Sequence, residues 1–386
     1  MSKKNPEIEV LRAIAVLMVL VSHVKNLLFW GSPHAVNFWN HAPMWTGVDL
    51  FFVISGYVIT LSFLEHSNDT GTTREKTIVA LKFWIRRAWR LWPSAWTWIA
   101  IVTICSVVFN SSGAFETTRG NLADMVSVLL LIANLHFFYC FHGTGAVCGN
   151  NSIYWSLAVE EQFYMLFPIL LSAVPRKWWP APFMALAAAQ FFADRPVWSF
   201  FWAIRTDAIC LGVLLAMVRR NDAYLLTRPS FLSRRFASVA WTTGLIALLC
   251  ALPSPLFFTV PFYTGLAAIV SVALVWTASF EHGFICPKGA IRTILGWIGA
   301  RSYALYLIHF PAFMATREIW SRMAGKPLDG TFTLRFILTA FAATFLLADL
   351  NFRLIETPLR RAGARIAEAF GSRAARVEQI EERRAA

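Results

Sequence analysis

The chain has 386 residues, 57% of them hydrophobic and only 15% charged, with a net charge of +13 and a mean hydropathy of +0.54. Soluble domains carry closer to a quarter charged residues, and here apolar runs near the ~20 residues needed to cross a bilayer recur along the whole length. This excludes an ordinary soluble domain. The missing pattern of short alternating segments argues against a β-barrel, and the lack of a soluble basic domain argues against a nucleic-acid partner.

In chain order the apolar stretches are 9–30, 45–64, 83–109, 122–138, 154–174, 180–194, 197–218, 236–252, 257–279, 294–315 and 332–354. Lys and Arg collect in cytoplasmic loops. Lys3, Lys4 and Arg12 put the N-terminus inside, and loop 31–44, without Lys or Arg, fits outside. The basic runs 65–90, 176–177, 219–235, 288–292 and 360–365 all fit inside if one stretch between 110 and 153 fails to cross. The expected fold is therefore an all-α polytopic membrane protein. It has about ten transmembrane helices, a re-entrant or interfacial segment at 122–138, and both termini in the cytoplasm. Residues 1–361 form the membrane domain and 362–386 a charged helical tail.

This placement leaves 110–153 outside, with Cys140 and Cys148 in "CFHGTGAVC". In an oxidising compartment they are either a disulfide or two free thiols. The other four cysteines read as small packing residues. No Cys/His group has metal-ligand spacing, so no metal is expected.

Ionisable residues within spans are costly and are functional candidates. Arg12 and His23 are eleven residues apart, close to three turns and about 16 Å along one helix face. A histidine there can take a proton from a hydroxyl, and an arginine at the membrane edge can hold a phosphate. The extended pantetheine arm of an acyl-CoA covers a similar gap. The plainer alternative is a snorkelling Arg and a hydrogen-bonded His.

Next comes "GVDLFFVISGYVI", 47–59. Asp49 lies in the first turn, suited to orienting a histidine or simply to the helix dipole, and Ser55-Gly56 offers a surface for close helix packing. In "FWIRRAWRLWPS", 83–94, Arg86 and Arg90 share a face and Arg87 is adjacent. Together they suit either a multiply charged phosphate or a positive-inside anchor. Pro93 should bend or restart the helix. "NSIYWSLAVEEQFYMLFP", 151–168, holds Glu160 beside Glu161. Adjacent positions face different ways, so one carboxylate should face the interior, for acid/base work or as a partner to a cation. Tyr154 and Ser156 on the same stretch are further candidates. "GARSYALYLIHFPAF", 299–313, carries Arg301 and His309; His309 ranks below His23 because no arginine accompanies it at phosphate distance.

Taken together and in order, these stretches resemble the acyltransferase-3 family of integral-membrane O-acyltransferases. The residues that carry the resemblance are Leu11-Arg12-Ala13 through His23, Gly47 to Gly56, Arg86 to Pro93, Trp155 to Tyr164, Ser302 to His309, and Glu356 with Pro358. Ala13 stands where the family usually has Gly. The likeness covers about residues 7–361.

The resemblance implies an enzyme of a bacterial inner membrane that takes an acyl group, usually acetyl, from cytoplasmic acyl-CoA. It would pass the group to a hydroxyl of an extracytoplasmic or lipid-linked acceptor, most often a carbohydrate or glycolipid. It also implies that His23 is essential and that Arg12, Arg86, Arg87 and Arg90 attend the donor. Some relatives add a soluble SGNH-type domain after the last span; with about thirty residues after Pro358, the stand-alone form is expected. With no activated Ser or Cys nucleophile beside a base, direct transfer is favoured over an acyl-enzyme. Asp49 or Glu160 is expected to orient His23. Competing readings are a transporter or flippase for a polar substrate and a non-catalytic acyl-CoA sensor.

Overall fold

The computed structural model describes residues 5–27, 33–65, 72–254, 260–325 and 328–385, with side chains described except in 25–27, 33–36 and 373–385. Among the described residues there are helices and no strands. In chain order they are α1 Pro6–Leu27, α2 Pro33–His41, α3 Gly47–Leu64, α4 Thr73–Val108, α5 Thr118–Leu129, α6 Ala133–Phe141, α7 Tyr154–Ala173 and α8 Pro180–Phe191. There follow α9 Phe200–Ala203, α10 Asp207–Arg219, α11 Arg235–Ala251, α12 Tyr263–Ser279, α13 Ala290–Ala300, α14 Ser302–Ala324, α15 Thr333–Asn351 and α16 Thr357–Ala385.

Four stretches, Gly47–Leu64, Thr73–Val108, Phe200–Arg219 and Gly330–Ser372, are long and apolar enough to cross a membrane. Several expected spans are divided. The stretch 122–138 becomes α5 and α6, twelve and nine residues long. At 1.5 Å per residue neither alone spans a ~30 Å hydrocarbon layer. Stretch 197–218 breaks at 204–206, and 294–315 breaks at Arg301, which therefore joins two helices instead of lying inside one. Residues 28–30 and 257–259 of two expected spans lie outside the described residues.

Pro93 does not restart its helix: α4 runs unbroken for 36 residues. A proline removes one backbone hydrogen bond, and membrane helices tolerate that loss where neighbours pack around it. A capping box formed by Thr72 and Glu75 fixes the start of α4.

Gly56 meets α10, while its neighbour Ser55 faces Glu160 and Tyr164 of α7. A Cβ on Gly56 would sit 2.1 Å from the Ile209 carbonyl oxygen, and one on Gly212 would sit 2.2 Å from that of Val53. Two glycines thus let α3 and α10 approach backbone to backbone, which supplies van der Waals contact where no hydrophobic driving force separates lipid from helix. Helix α1 packs on α3, α13 and α14, and α16 lies along α4.

Outside the bundle core, Cys140 and Cys148 form a disulfide. Nearby, buried Asp124 accepts hydrogen bonds from His136 Nε2 (2.8 Å) and Asn151 Nδ2 (2.9 Å), pinning the loop that leads into α7.

Candidate active site

Helix α3 organises the site. Val48, Ser55 and Ser62 are seven residues apart, so they fall near one face at about 10 Å intervals. Val48 lines the first and middle cavities, Ser55 the middle one and Ser62 the third. The three cavities are therefore in file along α3, and α1 runs beside them with Arg12 toward one end and His23 toward the other.

The first cavity is the largest of the three, about 400 Å³. His23 and Ser22 line it together with Trp39, Trp45, Trp155, Trp198 and Trp202. None of the residues lining it is Lys, Arg, Asp or Glu. Trp198 has φ +70, an outlying conformation for so bulky a side chain. It is held there by stacking on Phe141 (4.2 Å between centroids) and contact with Trp202 (4.7 Å). Trp202 is buried, and its Nε1 has no hydrogen-bond partner.

The His23 ring meets His309: Nδ1 of His23 lies 3.1 Å from Nε2 of His309, and His309 Nδ1 is 2.7 Å from the Tyr306 carbonyl. A carbonyl only accepts, so His309 Nδ1 carries the proton. In the neutral ring Nε2 is then an acceptor, and His23 Nδ1 must donate to it. This leaves the lone pair of His23 on Nε2, the nitrogen suited to accept a hydroxyl proton.

The middle cavity, about 80 Å³, is lined by Arg12, Ser55, Arg87, Arg90, Glu160 and Tyr164 among others. Arg12 donates from Nε to Ser302 Oγ (3.1 Å). Arg87 sits over the rings of Phe83 and Tyr164 at 5.6 and 5.2 Å. Ser55 and Tyr164 both hydrogen-bond Glu160. Val48 and Tyr306 belong to the walls of both this cavity and the tryptophan-lined one. The Tyr306 hydroxyl is fixed by Ser156 Oγ (2.6 Å) and the Ile153 carbonyl (3.0 Å). The third cavity, about 170 Å³, gathers Arg86, Arg87 and Arg90 with Arg360.

The structure thus brings together Arg12, Arg87, Arg90, Glu160 and Ser156, and His23 with His309. Other expectations need correction. Asp49, expected beside a histidine, pairs with Arg205 (3.4 Å). That guanidinium is boxed by Trp45, Trp155 and Trp202 at 5.1, 4.9 and 4.7 Å. Glu160 is engaged by Ser55 and Tyr164 beside Arg87, so the ring partner found for His23 is His309. Arg86 and Arg90 share a cavity wall as their spacing suggests, but Arg86 also pairs with Glu368 on α16 (3.2 Å). Tyr154 points from the cavities toward the Ala95 carbonyl (3.0 Å). Among the described residues, His136, Cys140 and Cys148 converge as three possible metal ligands, but the two sulfurs are bonded to each other.

Tyr306, Trp45, Trp198 and Trp202 were not singled out as site residues by the sequence, and Ser302 and Arg360 entered only as the start of a family motif and as a topology charge. Tyr306 lies one turn before His309, and 197–202 holds two tryptophans in six residues, which were the available signals.

Apolar helices around a file of cavities, with a histidine at one end and arginines at the other, define an integral membrane protein. The sequence model of the family described as "Acyltransferase domain" matches residues 5–352, and the chain belongs to that family. It is 30% identical to the peptidoglycan O-acetyltransferase OatA of Listeria monocytogenes, over 94% of this chain and 56% of the relative. A Bacillus subtilis protein, YrhL, named for peptidoglycan O-acetylation, is 28% identical over 93% of this chain and 55% of its own length. A Staphylococcus aureus protein named as an O-acetyltransferase is 26% identical over 93% of this chain and 58% of its own. The chain spans a little more than half the length of these relatives. No solved structure matches it significantly.

Proposed function

We propose that the chain is a membrane O-acetyltransferase that moves an acetyl group from cytoplasmic acetyl-CoA to a hydroxyl of a carbohydrate on the opposite side of a bacterial inner membrane. The observation that carries this reading is the shared wall at Val48 and Tyr306, with arginines gathered on one side and His23 among tryptophans on the other. Arg12, Arg87 and Arg90 suit the donor's phosphates, since guanidinium groups bind them through paired hydrogen bonds. The pantetheine arm would lie along the middle cavity beside Ser55 and Glu160, and the thioester would reach the wall. About ten spans with both termini in the cytoplasm would put the arginines on the donor's side.

The cup on the far side suits a neutral sugar. Tryptophan faces present apolar area to the C–H face of a pyranose, and indole N–H groups satisfy hydroxyls. In the reaction, His23 Nε2 takes the acceptor hydroxyl's proton as the oxygen attacks the thioester carbonyl. The new C–O ester bond forms, the C–S bond breaks, and the thiolate leaves to be protonated as free CoA. His309 holds His23 in the tautomer that leaves Nε2 basic and stabilises the imidazolium formed.

The test follows free CoA and acetyl ester with purified protein, acetyl-CoA and a neutral oligosaccharide. Equal release of both that vanishes in His23→Ala supports the reading. Acetyl-CoA binding without turnover by any hydroxyl acceptor would favour the sensor reading, and neither binding nor turnover the transporter.

A further inference from the structure

The cavity farthest from His23 concentrates positive charge. Arg86, Arg87 and Arg90 from α4 and Arg360 from α16 all line it, and none of its lining residues is acidic, the carboxylate beside Arg360, Glu356 at 3.9 Å, lying outside the lining. Like charges gathered in partly desolvated space repel one another unless an anion joins them. Arg90 Nε is buried and has no hydrogen-bond partner, so part of that cluster's donor capacity is unspent.

Helix α16 brings both a cation and an anion to this place. It seats on α4 through small residues: a Cβ on Gly363 would lie 2.3 Å from Trp89 Cβ, and Ala367 is fully buried. This seating sets Arg360 at the cavity wall. Two turns further on, Glu368 bridges Lys82 Nζ (3.0 Å) and Arg86 Nη1 (3.2 Å), one carboxylate oxygen to each. A phosphate would meet the same two donors in the same way. Glu368 is well exposed, and an exposed ion pair is held weakly enough to exchange for a stronger anion.

We propose that α16 completes the donor site: Arg360 is a further phosphate-binding residue, and Glu368 is an internal anion that holds Lys82 and Arg86 until a phosphate of the incoming thioester donor displaces it. This rests on the acyl-CoA reading above. It adds that a helix beyond the matched family region tunes donor affinity.

The experiment measures binding of CoA and of 3′-dephospho-CoA by calorimetry, using the full chain in lipid nanodiscs. The proteins are wild type, Arg360→Gln, Arg360→Lys and Glu368→Gln. Loss of a charge-assisted contact should weaken CoA binding about tenfold in Arg360→Gln, with Arg360→Lys recovering much of it. Glu368→Gln should bind CoA about threefold more tightly, a gain that misfolding does not produce. If this gain disappears with the dephospho ligand, the displacing group is the 3′-phosphate; if it persists, it is the diphosphate. CoA binding of unchanged or lower affinity in Glu368→Gln, or equal binding in Arg360→Gln, would overturn the inference and leave the donor reading standing. Absence of CoA binding to wild type would overturn both.

Discussion

His23 and His309 lie 286 positions apart in sequence and 3.1 Å apart in space, Nδ1 to Nε2. The Tyr306 carbonyl fixes the His309 tautomer, and His309 in turn fixes that of His23. Replacing His309 by Leu removes the acceptor and frees the His23 proton to move to Nε2. Turnover should fall by about 100-fold, the scale of lost general-base catalysis, while CoA binding is kept. His309→Gln, whose amide oxygen can accept from His23, should recover part of the rate. Equal rates in the Leu and Gln variants, measured as ester formation, would contradict the tautomer relay.

Trp198 is held at φ +70 in the wall of the tryptophan-lined cavity. Glycine adopts that backbone without strain. Trp198→Gly relieves that strain but loses the ring contacts with Phe141 and Trp202. It should therefore melt below wild type while still folding, and raise the acceptor KM about tenfold, the cost of one lost aromatic platform. The donor KM should not move. A variant impaired for donor and acceptor alike would count against a role confined to the cup.

Close packing of α3 on α10 leaves no room at Gly212, where a Cβ would meet the Val53 carbonyl at 2.2 Å. Gly212→Ala should destabilise the protein by about 1–3 kcal/mol, the usual cost of overpacking. Thermal unfolding in detergent measures this, with Gly244→Ala, where a Cβ meets nothing within 4 Å, as the comparison.

Glu318 lies beyond the apolar stretch 294–315 and accepts hydrogen bonds from Ser111, Ser112 and Arg322. Burial alone would raise its carboxyl, but these hydrogen bonds outweigh it and bring the group down from 4.5 to about 2. A depressed folded-state value means stability that is fully present above about pH 4.5 and is lost as pH falls toward 2. Glu318→Gln should melt below wild type at neutral pH, and the gap should narrow steadily from pH 4.5 downward. A gap independent of pH would show that the charge is not what Ser111 and Ser112 recognise.

Much of this was legible in the sequence. Helical spacing placed Arg12 and His23 on one face of α1, and the Ser55-Gly56 pair marked a close helix contact. What one sequence does not reveal is which helix faces meet. Asp49 found Arg205, 156 positions away, because a buried carboxylate is costly without a cation. Arg86 gained a partner no local window shows, the Glu368 carboxylate on α16. The tryptophan cup is assembled from six separate segments, so no window of sequence contains it. The division of 122–138 into α5 and α6 was half visible: the segment was expected not to cross, but the break at Leu131, with φ +60, carries no glycine or proline to announce it.

The most direct measurement places donor and acceptor on opposite sides of sealed proteoliposomes of known orientation. Acetyl-CoA is presented on the Arg12 side or on the His23 side, and a neutral oligosaccharide on the other. Acetyl ester formed only with acetyl-CoA on the Arg12 side and saccharide on the His23 side, and abolished by His23→Ala, is the expected result. Ester formed equally well with the two substrates exchanged, or with His23→Ala as active as wild type, would contradict transfer through the wall at Val48 and Tyr306.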